Sequence, residues 1–330
     1  MNEINSSINE KFRFFNEKEA DELSFKLAEY AQKAILYEAI LTPKAGLVDC
    51  IDVGAHKDMN IFTFVNSSSS LYKGFYNYSK AGLLWELDLK ELFKEARKIG
   101  IDVERDMFVA TRNVNTHKGI NFSLGIALIA TGYYINTLKK LDISNFGQKY
   151  TQNNVGAINN YVFSFDKNDI HNILEIIKDM VTGLVERDFK DLDKKKFLTN
   201  GERLYIETGF SGIRGEVEKG FPTVMEIALP RLRFLSDMNI SIERKLLDVL
   251  FHIMSVSDDS NVVFRGGLKA LDFVKKQAAK FIEDGGVFND NYKQKIEQMN
   301  TVFVEKNLSP GGAADLLSLA LFFAFLENLI

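Results

Sequence analysis

Residues 122–138 read FSLGIALIATGYYINTL, a nearly unbroken apolar stretch near the middle of the chain. An α-helix with this sequence is apolar on almost every side, so neighbouring elements must bury it. The stretch therefore predicts a central helix around which the rest of the fold packs.

The segments on either side have the apolar period of amphipathic helices. The clearest of these helices cover 17–41 and 87–99, and Gly100 is predicted as the C-cap of the second. Ser309 and Pro310 predict the N-cap and the first turn of a terminal helix. Further helices are predicted over 169–186, 242–256 and 267–283.

Strand signals are sparse. Only 161–165 and 204–207 have a β-like composition, and neither lies in a βαβ pattern. The polar stretch 145–160 and the charged stretch 187–203 are predicted as exposed connections, too poor in proline and serine to be interdomain linkers. The pattern predicts an all-α protein, a single globular multi-helix domain over the whole chain with 1–16 as a flexible N-terminal segment.

Composition excludes several classes of protein. With 46% hydrophobic and 26% charged residues, the 330-residue chain can bury a large core, and its net charge of −4 argues against general nucleic-acid binding. A single cysteine, Cys50, rules out a disulfide framework and fits a reducing cytosol. The polar N-terminus lacks the apolar core of a signal peptide, and the apolar run 316–330 is short for a membrane span and contains Glu327. We therefore expect a cytoplasmic protein with a buried terminal helix and no membrane partner.

Five segments that combine glycine with charged residues interrupt the helical pattern. Glycine costs a helix interior about 1 kcal/mol relative to alanine, so repeated glycines suggest positive φ angles or a close approach of the backbone to a ligand. Charged residues beside such glycines indicate a large anionic ligand together with a metal ion. These glycine–charge segments comprise residues 42–58, 115–119, 214–222, 258–267 and 309–315.

Residues 115–119 lie just before the apolar stretch, so their backbone amides would face an anion at a helix N-terminus. Lys118 would add a positive charge there, and His117 could carry a proton near neutral pH. Asp49 and Asp58 suit Mg²⁺, which prefers carboxylates, phosphate oxygens and water. A capped polar loop, solvated charges or an exposed ion pair would also account for each segment taken singly.

Several common catalytic and nucleotide-binding motifs are absent from the sequence. It contains no GxxxxGK[ST] loop, no GxGxxG after a strand and no GxSxG, and it lacks the CxxC and HExxH patterns of zinc sites. The residues themselves therefore predict a helical enzyme with an acidic, metal-binding, phosphate-handling site, without naming its reaction.

The order and the residues of these segments resemble those of the triphosphoribosyl-dephospho-CoA synthase family, the ATP:dephospho-CoA triphosphoribosyltransferases. The resemblance spans nearly the whole chain, with mild departures at Ala45, at Arg112 and Asn113, and at Ser260, none of which removes a charged residue of a segment. The matching stretches are 39–49, 54–59, 114–119, 214–216, 228–230, 259–267 and 307–317.

The resemblance implies a soluble all-α transferase that depends on a divalent cation, expected to be Mg²⁺. ATP would lose adenine, and its triphosphoribosyl group would join the 2′-hydroxyl of the ribose of 3′-dephospho-CoA. The product would be the precursor of the prosthetic group of the citrate lyase acyl carrier protein, handed to a transferase that loads that subunit. The same reaction serving malonate decarboxylase is the alternative.

Such a transfer develops oxocarbenium character at the ribose carbon, which carboxylates stabilise while an acid protonates the departing base. Asp49, Asp58 and Asp259 are the candidates for metal binding or for stabilising the sugar cation. His117, Glu216 and Asp58 are the candidates for catalysis. The candidates for contacting substrate and phosphates are Lys44, Lys118, Gly119, Arg214, Gly215, Arg265, Gly266, Ser309, Gly311 and Gly312.

Two other functions compete with this interpretation. A metal-dependent helical hydrolase of a nucleotide or ADP-ribose-like bond would use similar acidic pairs, with water in place of the ribose hydroxyl. The second is a helical binding module without catalytic activity. Such a module would not need a charged residue in every one of these segments, yet this chain has them all.

Overall fold

The computed structural model describes residues 15–140, 150–155 and 158–330. The helices in the first half of the chain are α1 (Glu17–Ile40), α2 (Ile61–Leu83), α3 (Leu89–Ala110) and α4 (Lys118–Lys140). An antiparallel hairpin of β1 (Tyr150–Val155) and β2 (Ile158–Phe163) follows, with Tyr150 opposite Phe163. The remaining helices are α5 (Lys167–Val181), α6 (Leu184–Phe189), α7 (Asn200–Thr208), α8 (Gly212–Glu218), α9 (Leu229–Ser236), α10 (Ile242–Val256), α11 (Ser260–Glu283), α12 (Tyr292–Glu305) and α13 (Gly311–Leu326).

The predicted all-α class is confirmed, and the apolar stretch forms most of the central helix α4. Helices α2, α3, α5 and α13 pack around α4, and its apolar residues belong to one continuous hydrophobic core. Helices α2 and α4 cross with their backbones in contact. A Cβ at Gly82 would overlap the carbonyl oxygen of Ile129, and one at Gly132 would overlap that of Ser79. These two glycines therefore bring α2 and α4 together.

Local capping explains several helix starts. Asn16 caps α1 in a reciprocal capping box with Glu19, and Asp88 caps α3 by accepting from the Glu91 N–H. Phe15 is buried beside this start. Residues 15 and 16 are thus fixed in place, and the rest of the predicted flexible segment lies outside the described residues.

Several predicted boundaries were wrong, mostly where a glycine has a tertiary role. Helix α3 continues past Gly100, where a Cβ would come within 2.9 Å of the Tyr78 hydroxyl. Helix α11 begins before Gly267, which has a φ of 75° and kinks the helix internally. The predicted helix 169–186 is two helices, because Gly183 has a φ of 75° between them. Gly100 and Gly267 thus lie inside helices, where close packing and a kink account for them, whereas Gly183 is the N-cap of α6.

Other differences concern whole elements. Helices α2 and α12 were not among the predicted helices, and residues 204–207 are helical within α7. The β-like stretch 161–165 overlaps β2, so the described part of 145–160 forms a hairpin rather than an irregular connection. Ladder hydrogen bonds between the two strands pair the backbone groups of these polar residues.

The C-terminal apolar run is a buried helix, as predicted. Helix α13 packs against α1, α4 and α10, and nearly all of its side chains from Ala313 to Leu326 are buried. No helix within the described ranges is long and apolar enough to cross a membrane.

The predicted cap of α13 was wrong. Pro310 occupies the N-cap position without a side-chain hydrogen bond, and Ser309 lies outside the helix. The carboxylate of Asp259, at the start of α11, accepts from the Ala313 N–H at 3.0 Å instead. A residue distant in sequence therefore closes the start of α13.

Candidate active site

Parts of all five glycine–charge segments lie around one cavity of about 210 Å³, which we call the inner cavity. It is built where α4, α11 and α13 begin, beside the loop between α1 and α2. Helix starts present unpaired N–H groups and a partial positive charge, which favours anions. The predicted site residues that line this cavity are Lys44, His117, Lys118, Gly119, Glu216, Arg265, Ser309, Gly311 and Gly312.

A buried ion pair forms one wall. The Lys44 ammonium donates to the Glu38 carboxylate at 2.5 Å and to the Glu38 carbonyl oxygen at 2.7 Å, and both side chains are almost fully buried. Asp49 shapes the loop that carries Lys44, since its carboxylate accepts from the backbone N–H groups of Lys44, Ile51 and Asp52 at 2.8–2.9 Å. Asp49 thus binds the protein's own backbone, and Glu38 already supplies a counter-charge to Lys44.

His117 is buried in the wall of the inner cavity. Its Nδ1 lies 2.6 Å from the Ser67 hydroxyl, the Phe64 ring meets it edge-on, and its Nε2 has no hydrogen-bond partner in the described part of the chain. Burial, and then the positive charge of Lys44, lower the pKa of His117 to about 3. The imidazole is therefore neutral at neutral pH, with an unpartnered ring nitrogen available to a ligand.

Asp315, one turn into α13, lies against the start of α4. A Cβ on Gly119 would overlap the Asp315 carboxylate, so glycine is required there for this approach. Among the described residues no hydrogen bond or ion pair is formed by the Asp315 side chain, which lines the inner cavity. Burial, and then the nearby Glu38 and Asp259 carboxylates, raise the pKa of Asp315 well above its ordinary value. Both effects favour the neutral carboxyl form of Asp315 over its carboxylate.

Asp259 joins two helix starts. Its carboxylate accepts from the N–H groups of Asn261 and Val262 in α11 and of Ala313 in α13. Gly312 packs directly on it, since a Cβ there would lie 3.0 Å from the Asp259 carboxylate. Burial raises the pKa of Asp259, and these backbone donors partly offset that effect. Asp259 therefore ties the starts of α11 and α13 together.

A polar chain connects three segments across the cavity mouth. Arg265 donates to the Ala55 carbonyl oxygen at 2.8 Å and to His56 Nδ1 at 3.3 Å, and His56 Nε2 lies 2.9 Å from the Ser309 hydroxyl. Because Nδ1 accepts from arginine, Nε2 carries the proton and donates to Ser309. Burial, and then the charge of Arg265, lower the pKa of His56 to about 4. The chain fixes Ser309 and Arg265 at the cavity wall.

The remaining predicted acid–base and metal residues do not converge. Asp58 is exposed, 3.9 Å from His56 Nδ1, while Glu216 accepts from the Thr223 N–H at 2.8 Å and has a pKa raised by burial. Asp49 and Asp259 are occupied by backbone donors. Within the described ranges no three His, Cys, Asp or Glu side chains are grouped as a metal site. The three predicted metal ligands do not form an all-protein cage for Mg²⁺.

Arg214 lies in a second, larger cavity of about 560 Å³, which we call the outer cavity. Its Nε donates to Asp188 at 2.7 Å, and Arg97 pairs with the other oxygen of the same carboxylate at 2.5 Å. Lys118 also lines this cavity and pairs with Glu104 at 2.6 Å. The predicted Gly215 and Gly266 contact the protein itself, Gly215 beside the Ser211 hydroxyl and Gly266 beside Ala270.

Glu38, His56 and Asp315 line the inner cavity and were not among the predicted site residues. His56 and Asp315 belong to glycine–charge segments, so their sequence context carried a signal. Glu38 lies inside the predicted helix 17–41, where an acidic residue is ordinary. Only the fold brings it beside Lys44.

The fold and site define a class: an all-α enzyme with a polar, largely buried cavity at three helix starts. Residues 24–330 match the family model CitG, ATP:dephospho-CoA triphosphoribosyl transferase. The chain belongs to this family of enzymes.

Curated relatives agree over most of their length. The chain is 40% identical over 303 residues to a probable 2-(5″-triphosphoribosyl)-3′-dephosphocoenzyme-A synthase of Streptococcus equi subsp. equi, covering 92% of this chain and 97% of the relative. Proteins of the same name from Streptococcus mutans serotype c and Streptococcus pyogenes serotype M1 are 38% and 36% identical, with the same coverage. No solved structure matches the chain.

Proposed function

We propose that this enzyme transfers the 5-triphosphoribosyl group of ATP to the 2′-hydroxyl of 3′-dephospho-CoA and releases adenine. Family membership supports the reaction class. The observation that carries the proposal is the inner cavity, where a carboxyl group with a raised pKa, a neutral imidazole and cationic side chains converge. These are the groups that the displacement of a nucleobase by a hydroxyl needs.

In the proposed reaction the bond between C1′ of the ATP ribose and N9 of adenine breaks, and its electron pair leaves with adenine. The 2′-oxygen of dephospho-CoA forms the new bond to C1′ and loses its proton. Adenine gains one proton and the hydroxyl loses one, so the reaction balances without an oxidant or a reductant.

Asp315 is the proposed proton donor to adenine. A carboxyl group held protonated by burial can deliver a proton at neutral pH, as a general acid with a raised pKa does. Its position against Gly119 places it at the start of α4, within the cavity wall. In this proposal Asp315 takes the acid role, for which His117 and Glu216 were the candidates from sequence.

His117 is the proposed acceptor of the hydroxyl proton. Its low pKa keeps the imidazole neutral at neutral pH, so the unpartnered Nε2 can accept a proton, although as a weak base in the unliganded protein. Negative charge from the bound triphosphate would strengthen it as a base. Lys44 and Arg265 are proposed to orient the phosphates, together with the helix starts around the cavity.

Magnesium is proposed to enter as the complex of Mg²⁺ with ATP. Mg²⁺ is commonly held by substrate phosphates with only one or two carboxylates, so the enzyme needs no dedicated metal cage. The ion would neutralise part of the charge of three phosphates. The proposed setting is the cytoplasm, where a second transferase would load the product onto the citrate lyase acyl carrier protein. Malonate decarboxylase is the alternative destination.

Adenine release from ATP and Mg²⁺, measured with and without dephospho-CoA and with the coenzyme product followed by mass, tests the proposal. Acceptor-dependent release with a triphosphoribosyl adduct is expected. Release without acceptor would instead identify a nucleotide hydrolase, and absence of release would refute both.

A further inference from the structure

The outer cavity adjoins the inner cavity along a shared wall. The residues that line both cavities are Asn115, Lys118, Gly119, Ile213, Ser260 and Asn261. This wall lies at the starts of α4 and α11, beside His117 and Asp315. Two substrates that exchange a group must meet at one point, and the shared wall provides such a meeting point.

The linings of the two cavities differ in chemistry. The inner cavity has buried polar and charged groups, which suit a compact triphosphate. The outer cavity has a broad apolar and aromatic surface, including Phe93, Ile101, Phe122, Leu204 and Phe264. Such a surface suits an adenine ring and a long, weakly polar arm.

Two arginines meet on one side of the outer cavity. Arg97 and Arg214 share the single carboxylate of Asp188, so this group of three side chains has a net positive charge. Arg214 also lies over the Phe189 ring, with 5.2 Å between the guanidinium carbon and the ring centre. Arginine forks with excess positive charge are suited to binding a diphosphate.

We propose that the outer cavity is the binding site of the acceptor, a nucleoside diphosphate joined to a pantetheine arm. This inference rests on the proposed function and assigns one cavity to each substrate. The acceptor ribose lies at the shared wall, with its 2′-hydroxyl toward the inner cavity. The diphosphate lies at Arg97 and Arg214, and the pantetheine arm lies along the apolar lining.

Affinities for dephospho-CoA and for ATP with Mg²⁺, measured by titration calorimetry on the full chain, test this assignment. Arg97→Met removes one guanidinium from a half-exposed side chain, and Phe264→Ala removes an aromatic side chain that is 54% exposed. Each should weaken dephospho-CoA binding by about tenfold, the size of a lost charged hydrogen bond or stacking contact. ATP affinity should change by less than about twofold.

Two variants on α3 serve as matched controls, because neither residue lines either cavity. Arg105→Met removes an exposed guanidinium, and Val109→Ala shortens an exposed apolar side chain. Both should bind dephospho-CoA and ATP as the wild type does.

Weaker ATP binding with unchanged dephospho-CoA binding in the two test variants would overturn the assignment and place ATP in the outer cavity. Unchanged affinity for both ligands would also overturn it.

If the wild type makes the product while both variants bind dephospho-CoA normally, this inference fails alone. If the wild type binds dephospho-CoA through the outer cavity but makes no product, the proposed function fails and the site remains.

Discussion

Replacing Asp315 by asparagine should stabilise the protein at neutral pH while destroying its activity. In the folded state, burial and two neighbouring carboxylates raise the pKa of Asp315 well above 3.8, the ordinary value for an aspartate. Between pH 3.8 and the raised folded pKa, the folded state therefore holds a proton that the unfolded state has lost. By linkage, this carboxyl group makes the free energy of unfolding fall as pH rises through that window.

The size of this change in the free energy of unfolding follows from the binding of one proton. Each pH unit inside the window costs the wild type up to about 1.4 kcal/mol relative to a variant that cannot ionise. The stability difference between Asp315→Asn and wild type should thus be small below pH 3.8 and grow in favour of the variant as pH rises. Glu216, whose pKa is also raised, contributes equally to both proteins and cancels.

Urea unfolding from pH 4 to pH 8 measures this difference, and adenine release measures activity. Loss of a general acid should lower turnover at neutral pH by about 100-fold or more. Asp58→Asn, which removes an exposed carboxylate, should give a flat stability difference within about 0.5 kcal/mol. A difference for Asp315→Asn that is independent of pH, or that favours the wild type as pH rises, would refute the protonated state and with it the acid role.

Three further predictions follow from the same cavity. Lys44→Met leaves the buried Glu38 carboxylate without its cation, so the free energy of unfolding, measured in urea, should fall by about 3–5 kcal/mol. The double variant Lys44→Met with Glu38→Gln should recover part of that lost stability. Equal losses in the single and double variants would contradict the ion-pair argument. Gly119→Ala places a methyl group on the Asp315 carboxylate, so it should lower the free energy of unfolding by about 1–3 kcal/mol and remove most of the activity; unchanged stability and activity would contradict the close approach of Asp315 to Gly119. Chelation of Mg²⁺ with EDTA should stop adenine release, and added Mg²⁺ should restore it; full activity in EDTA would contradict the proposed complex of Mg²⁺ with ATP.

Much of the fold could be predicted because its signals are local. The apolar stretch 122–138 predicted the buried helix α4, since helical period and apolar composition are properties of consecutive residues. The helix boundaries that were predicted wrongly involve glycines, and a contact with a residue distant in sequence can explain such a glycine. Gly100 looks like a helix end in sequence, yet it lies inside α3. Glycine is needed there because the Tyr78 hydroxyl of α2 packs against it.

The sequence by itself determined the family, the helical class and the segments that meet at the site, because those depend on residue types in order. Only the tertiary structure decided which charges are already paired. It turned Asp49 and Asp259 toward backbone N–H groups, joined Lys44 to Glu38, buried His117, and placed Asp315 beside other carboxylates. Protonation states and ion pairs depend on desolvation and on neighbours brought together from distant parts of the chain, and no pattern of consecutive residues contains that information.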